Sequence, residues 1–190
     1  MSRARPAAFL DRDGTIIDDV EYISNPDQVR LRPSAAEAIR SLNDAGLPVI
    51  VVSNQSGIGR GYSSYEDYER VQARIEEALQ AGGARVDATY ICPHAPTDSP
   101  ACACRKPAVG LFQQAAREHG LDLAASWYAG DKWRDVQPGL ELRGQGFLIA
   151  APSTPPEDLD RAQAIGIVRH SLGDVAREIL ATLTGGQSTR

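Results

Sequence analysis

Two aspartates two residues apart, Asp11 and Asp13, follow the short apolar run Ala7–Leu10 in the segment Phe9-Leu10-Asp11-Arg12-Asp13-Gly14-Thr15. Side chains at i and i+2 of an extended chain leave it in the same direction, so both carboxylates can converge on one centre. One can attack phosphorus to form an aspartyl phosphate, while the other handles protons for the leaving group and the attacking water. Gly14 lets the chain turn sharply beside a phosphate. The same residues would serve equally well as an Asp-rich turn, since Asp, Gly and Thr are all turn formers.

Three further polar clusters bear on that choice. Ser53-Asn54-Gln55-Ser56 offers a hydroxyl and successive backbone N–H groups for phosphate oxygens, or an ordinary loop. Arg105-Lys106-Pro107 offers a lysine able to neutralise both a nucleophilic carboxylate and a transferring phosphoryl group, with a guanidinium fork beside it. An exposed basic pair before a helix is the plainer alternative. In Gly130-Asp131-Lys132-Trp133-Arg134-Asp135, Asp131 can join Asp11 and a backbone carbonyl around Mg²⁺, which takes a few carboxylates together with waters and phosphate oxygens. Asp135 lies one helical turn further on and is expected to support the site rather than to ligate.

These clusters need elements to hold them. Apolar runs predict strands at Ala7–Leu10, Leu47–Val52, Val86–Ile91, Ser126–Ala129 and Gly146–Ala150, with a weaker one near Ile165–Val168. Helical patterns run from about Pro33 to Ala45, Ser64 to Gln80, Pro107 to His119, Asp135 to Arg143 and Leu172 to Leu183, with Gly46, Gly82-Gly83 and Gly120 as stops. The alternation predicts an α/β fold, a mostly parallel sheet in a three-layer α/β/α arrangement. Such sheets bind ligands beyond the carboxyl ends of their strands, and the four polar clusters fall at four such ends. A single domain is expected over residues 1–184, with a flexible tail at 185–190.

All three cysteines lie between Cys92 and Cys104. Cys92-Pro93-His94 and Cys102-Ala103-Cys104 supply three thiolates and one imidazole, the complement of a closed tetrahedral Zn²⁺ site. A disulfide, worth about 2–4 kcal/mol, would leave one cysteine and His94 without a role. Zinc uses all four, so Cys92, His94, Cys102 and Cys104 are expected to hold a structural Zn²⁺ that fixes the loop delivering Arg105 and Lys106. His119 and His170 have no such partners.

Composition narrows the partners. The formal net charge of −5 comes with no basic stripe, which argues against nucleic acid. No apolar stretch is long enough to cross a membrane, and the N-terminus lacks a secretory apolar region, so a cytoplasmic monomer is expected. Gly57-Ile58-Gly59-Arg60-Gly61 has the wrong spacing for a dinucleotide fingerprint, and there is no P-loop motif.

Taken in order, Asp-x-Asp-Gly-Thr, Ser-Asn, Lys and Gly-Asp-x-x-x-Asp over residues 9–135 resemble the haloacid dehalogenase-like phosphohydrolases. With Asn-Gln-Ser-Gly-Ile-Gly-Arg-Gly and Cys-Pro-His…Cys-x-Cys-Arg-Lys-Pro, the pattern resembles the D-glycero-D-manno-heptose 1,7-bisphosphate 7-phosphatase family. Histidinol-phosphate phosphatases share the zinc loop and stand next by pattern. The resemblance implies a Rossmann-like fold without a large cap domain, catalytic Mg²⁺, a phosphosugar substrate and a place in nucleotide-activated heptose biosynthesis. It makes Asp11 the nucleophile and a Mg²⁺ ligand, and Asp13 the acid/base whose backbone carbonyl also meets the metal. Ser53 and Lys106 would stabilise the phosphoryl group, and Asp131 would bind Mg²⁺. Substrate contacts would come from Arg12, Asp19, Val20, Glu21 and Tyr22, from Asn54, Gln55 and Ser56, and from Arg105 and Lys132, with Arg105 taking a second phosphate. A zinc-stabilised phosphosugar-binding module without catalysis, and a polynucleotide 3′-phosphatase, are the alternatives from other classes. The first would be expected to lack one of Asp11, Asp13, Lys106 or Asp131, and all four are present.

Overall fold

Each central strand is apolar on both faces, and period-two alternation decides which helical layer each side chain meets. In the computed structural model, which describes residues 4–98 and 102–185, strands β1 (Ala8–Leu10), β2 (Val49–Asn54) and β3 (Ala88–Cys92) form one half of a sheet. Strands β4 (Trp127–Gly130), β5 (Gln145–Ile149) and β6 (Val168–Arg169) form the other half. All neighbours are parallel, in the order β3-β2-β1-β4-β5-β6, so the winding reverses between β1 and β4. Ala8, Leu10, Val49, Val51 and Ala129 face α1 (Ala35–Asp44), α3 (Tyr65–Ala81) and α7 (Leu172–Gly185). Their neighbours Phe9, Ile50, Val52 and Tyr128 face α4 (Gly110–His119), where Phe9 stacks on Tyr128 at 5.0 Å and meets Phe112 edge-on at 5.4 Å. Next to that layer, α5 (Trp133–Glu141) and α6 (Pro156–Ala164) cover Leu148. This is the three-layer α/β/α architecture expected.

The connection from β1 to α1 holds only short turns, including a 3-10 turn at Pro26–Gln28. That from β2 to α3 holds only the four-residue α2 (Ser56–Gly59), so the described residues contain no cap domain. None of their helices is long and apolar enough to cross a membrane.

Several boundaries move, each for a local reason. Helix α4 starts at Gly110, not Pro107, because Asn54 holds both the N–H and the carbonyl of Lys106 and the Gly110 N–H is bonded to the Ala103 carbonyl. Helix α1 starts at Ala35 because Ser34 sits in the left-handed region (φ 65°) and its hydroxyl accepts from the Gly173 N–H instead of capping α1. Helix α5 begins before Asp135, whose carboxylate is the third-residue member of its cap and accepts the Lys132 N–H at 3.0 Å. Helix α6 carries few apolar residues and only Ala162 is fully buried, so its periodicity is faint despite a starting proline and two acids in its first turn. Of the tail expected at 185–190, Gly185 is the last residue of α7, and 186–190 lie outside the described residues.

Candidate functional site

Asp11 extends β1 past its last residue, its N–H donating to the Ala129 carbonyl of β4 at 2.9 Å. It therefore emerges at the point where the winding reverses. Lys106 comes to it from the loop before α4 and is 3% exposed. Its ammonium donates to Asp11 Oδ1 at 2.6 Å and to the Val52 carbonyl at 2.5 Å, and forms an ion pair with Asp135 Oδ1 at 2.7 Å. Burial alone would lower the lysine pKa, but the Asp11 and Asp135 carboxylates outweigh it and hold it above the ordinary value. Asn54 fixes the backbone beneath, donating to the Lys106 carbonyl at 3.1 Å and accepting its N–H at 3.0 Å.

Asp13 points into a second network. Arg12 grips it with Nη2 on Oδ1 at 3.0 Å and Nε on Oδ2 at 3.1 Å. Gln55 Nε2 donates to the same Oδ2 at 2.8 Å and to Ser53 Oγ at 2.7 Å, while Ser53 Oγ reaches Asp13 at 3.4 Å. Arg12 is 2% exposed, also bonds Gln55 Oε1 at 2.9 Å, and lies over the Tyr68 ring at 5.6 Å. Its Nε and Nη2 are thus spent on Asp13 and Gln55, while its Nη1 is buried without a hydrogen-bond partner.

Asp131, at the end of β4, is wholly buried. Its Oδ2 accepts from Ser153 at 2.6 Å and lies 3.4 Å from Lys132 Nζ, whereas its Oδ1 is buried with no hydrogen-bond partner. Burial, and then the Asp11 and Asp135 carboxylates, push its pKa up to about 6. Carboxylate oxygens of Asp11, Asp131 and Asp135 lie within 4.8 Å of one another. A buried carboxylate oxygen without a donor, beside two other acids, fits a divalent cation. Asp135 Oδ2 accepts the Lys132 N–H of the α5 cap, while its Oδ1 is buried without a hydrogen-bond partner, 2.7 Å from Lys106 Nζ. The approach needs Gly14: with φ at +84°, a Cβ there would come within 2.4 Å of Asp131 Oδ2.

Above these groups opens a cavity of about 370 Å³. Val20, Glu21 and Tyr22 line it from the loop after β1, and Gln55 and Ser56 from the loop after β2. Arg105 and Lys132 line it too, with Lys132 anchored to Asp19 at 2.8 Å. Every substrate contact expected from the sequence borders this cavity, although the amide of Asn54 and the guanidinium of Arg12 are used internally. Sequence reasoning passed over Ser153, Tyr68, Arg60 and Arg134. Ser153 follows β5, a fifth strand end that could have been searched like the other four. Arg60 and Arg134 stand inside motifs already singled out.

The cysteine loop closes on itself. Cys92 Sγ lies 2.9 Å from Cys104 Sγ and 3.5 Å from both Cys102 Sγ and His94 Nδ1, and no disulfide is formed. All four donor atoms fall within 4.8 Å of one another, which fits zinc. Burial opposes ionisation of Cys102, but hydrogen bonds from Cys104 and Cys92 outweigh it and bring its thiol down to about 7. The loop meets the cavity directly: Arg105 Nη1 donates to the His94 carbonyl at 3.1 Å, and the Gly59 N–H donates to the Pro93 carbonyl at 2.9 Å. A Cβ on Gly59 would come within 2.7 Å of that carbonyl oxygen, so this glycine is what lets α2 and the loop meet.

Comparison with known proteins agrees with this geometry. The family model described as Polynucleotide kinase 3 phosphatase matches residues 6–138, and one described as HAD-hyrolase-like matches residues 103–175. A D-glycero-beta-D-manno-heptose-1,7-bisphosphate 7-phosphatase of Yersinia pestis is 34% identical over 95% of this chain and 98% of its own. That of Mesorhizobium japonicum is 41% identical over 76% of this chain and 69% of its own. The crystal structure of a D,D-heptose 1,7-bisphosphate phosphatase from B. bronchiseptica, complexed with magnesium and phosphate, is similar with a TM-score of 0.83 and 31% identity. That likeness covers 93% of this chain and 99% of the other.

Replacing Asn54 by Ala would strip the two bonds that fix the Lys106 backbone and leave both groups without partners. The expected loss of folding stability is about 1–3 kcal/mol, read as a lower urea midpoint at unchanged slope.

Proposed function

The chain belongs to the haloacid dehalogenase-like phosphatases, in the D-glycero-D-manno-heptose 1,7-bisphosphate 7-phosphatase family, and we propose that it removes the C7 phosphate of that sugar bisphosphate. The observation that carries this reading is the buried Asp11–Lys106 pair beneath a cavity bordered by Arg60, Arg105, Lys132 and Arg134. Lys106 lowers the repulsion between two anions as the Asp11 carboxylate approaches phosphorus. An Asp11 oxygen forms the new bond to phosphorus, the bond to the C7 oxygen breaks, and a proton from Asp13 passes to the departing oxygen. Asp13 then takes a proton from a water that attacks the phosphorus of the aspartyl phosphate, releasing inorganic phosphate and restoring Asp11. To do so Asp13 must leave the Arg12 fork, and Gln55 and Arg12 are placed to receive it again.

Asp11, the Asp13 backbone carbonyl and Asp131 would hold Mg²⁺, with Ser153 orienting Asp131 and Gly14 permitting the approach. Bound there, the ion would neutralise charge on the phosphoryl oxygens. Ser53, once released by Gln55, and the backbone beyond it receive those oxygens. Lys132 and the loop at Asp19–Tyr22 meet the sugar, and Arg105 its second phosphate. Zinc at Cys92, His94, Cys102 and Cys104 would keep the His94 carbonyl against Arg105.

Purified protein with Mg²⁺ is expected to release phosphate from heptose 1,7-bisphosphate faster than from histidinol phosphate. Asp11→Asn should fold normally and abolish release; comparable turnover of histidinol phosphate would overturn the substrate assignment. For the loop, protein expressed with zinc is expected to carry one zinc per chain by elemental analysis. Cys102→Ser with Cys104→Ser should carry none and melt at a lower temperature.

A further inference from the structure

Most charges around the cavity are matched. Lys106 answers Asp11, Arg12 answers Asp13, and Lys132 answers Asp19 and Asp131. Three arginines lining the same cavity are not, nor is Glu21. Arg60 follows α2, Arg105 precedes Lys106, and Arg134 opens α5, so three separate elements bring guanidinium groups to one cavity. Among the described residues none of the three has a carboxylate within ion-pair distance. Arg134 is half-buried, and its Nε is buried with no hydrogen-bond partner. Arg134 and, more weakly, Arg60 stand near enough to Arg105 to repel its charge.

Gathering like charges in a partly desolvated wall without a counter-carboxylate is unfavourable unless an anion completes the arrangement. The reacting phosphoryl group does not need them, since Lys106 already faces Asp11 and none of the arginines pairs with Asp11, Asp131 or Asp135. Planar forks arriving from several directions suit the oxygens of a phosphate monoester.

We propose that Arg60 and Arg134 join Arg105 as the seat of the non-reacting phosphate, and that they set a preference for a sugar bisphosphate over the matching monophosphate. This rests on the sugar-bisphosphate reading of the site and adds two residues to it. Arg60 is exposed on a short turn, so its replacement tests the idea without a burial penalty. Arg134 is anchored in α5, so Arg134→Lys, which retains charge but lacks the fork, accompanies Arg134→Ala.

The deciding measurement is kcat/KM on heptose 1,7-bisphosphate divided by kcat/KM on heptose 7-phosphate. The ratio should fall on the order of tenfold to a hundredfold in Arg60→Ala and Arg134→Ala, mainly through KM, and by less in Arg134→Lys. An unchanged ratio, or parallel losses on both substrates, would overturn the proposal. If neither heptose phosphate is turned over, the substrate assignment fails separately, and the arginine seat is read by binding. In an Asp11→Asn background, calorimetry should find fructose 1,6-bisphosphate bound more tightly than fructose 6-phosphate, an advantage that Arg60→Ala removes. Equal affinities before that replacement would sink the proposal independently of turnover.

Discussion

The structure turns on one buried ammonium. Lys106 has given up nearly all contact with water, which a charge accepts only when it is answered. Asp11 comes from the end of β1, Asp135 from the first turn of α5, and the third partner is the Val52 carbonyl of β2. Four segments distant in sequence are thereby tied at one nitrogen. The Asn54 side chain holds the lysine backbone, so the pair is fixed from both ends. Removing the ammonium would leave two buried carboxylates without a counter-charge, so the contacts that hold Asp11 in place also hold the sheet ends together.

Close backbone approach makes that node possible. At Gly14 and Gly59, an added methyl would collide with Asp131 or with the Pro93 carbonyl, respectively. The first collision would separate Asp131 from the motif at the end of β1; the second would push the cysteine loop from the cavity. The loop in turn carries Arg105 and Lys106. A cysteine loop remote from Asp11 in sequence is thus mechanically adjacent to it.

Much of this was legible before any coordinates. Buried β-branched runs mark parallel strands because both faces are covered, and the polar clusters that end them must share one rim. Residue type and order also pointed to the clusters of Cys92, His94, Cys102 and Cys104, and of Asp11 with Asp131, whose donor atoms the fold brings within 4.8 Å of one another. What escaped was set by tertiary contact. Nothing local says that Arg12 would turn back on Asp13, that Ser34 would serve Gly173 rather than cap its own helix, or that Ser153 would reach Asp131. Helix α6 escaped because it buries so little that its pattern barely departs from a loop. The arginines were visible as letters, but their convergence needed the fold.

The central claim is that Asp11, poised by Lys106, becomes covalently phosphorylated during turnover. A single turnover of heptose 1,7-bisphosphate, quenched in acid and digested, followed by mass spectrometry of the peptide spanning residues 5–12, tests it directly. The account predicts a transient peptide heavier by one phosphoryl group, with fragment ions placing that group on Asp11. Rapid phosphate release with the peptide unmodified at every quench time, or a phosphoryl group on another residue, would contradict it.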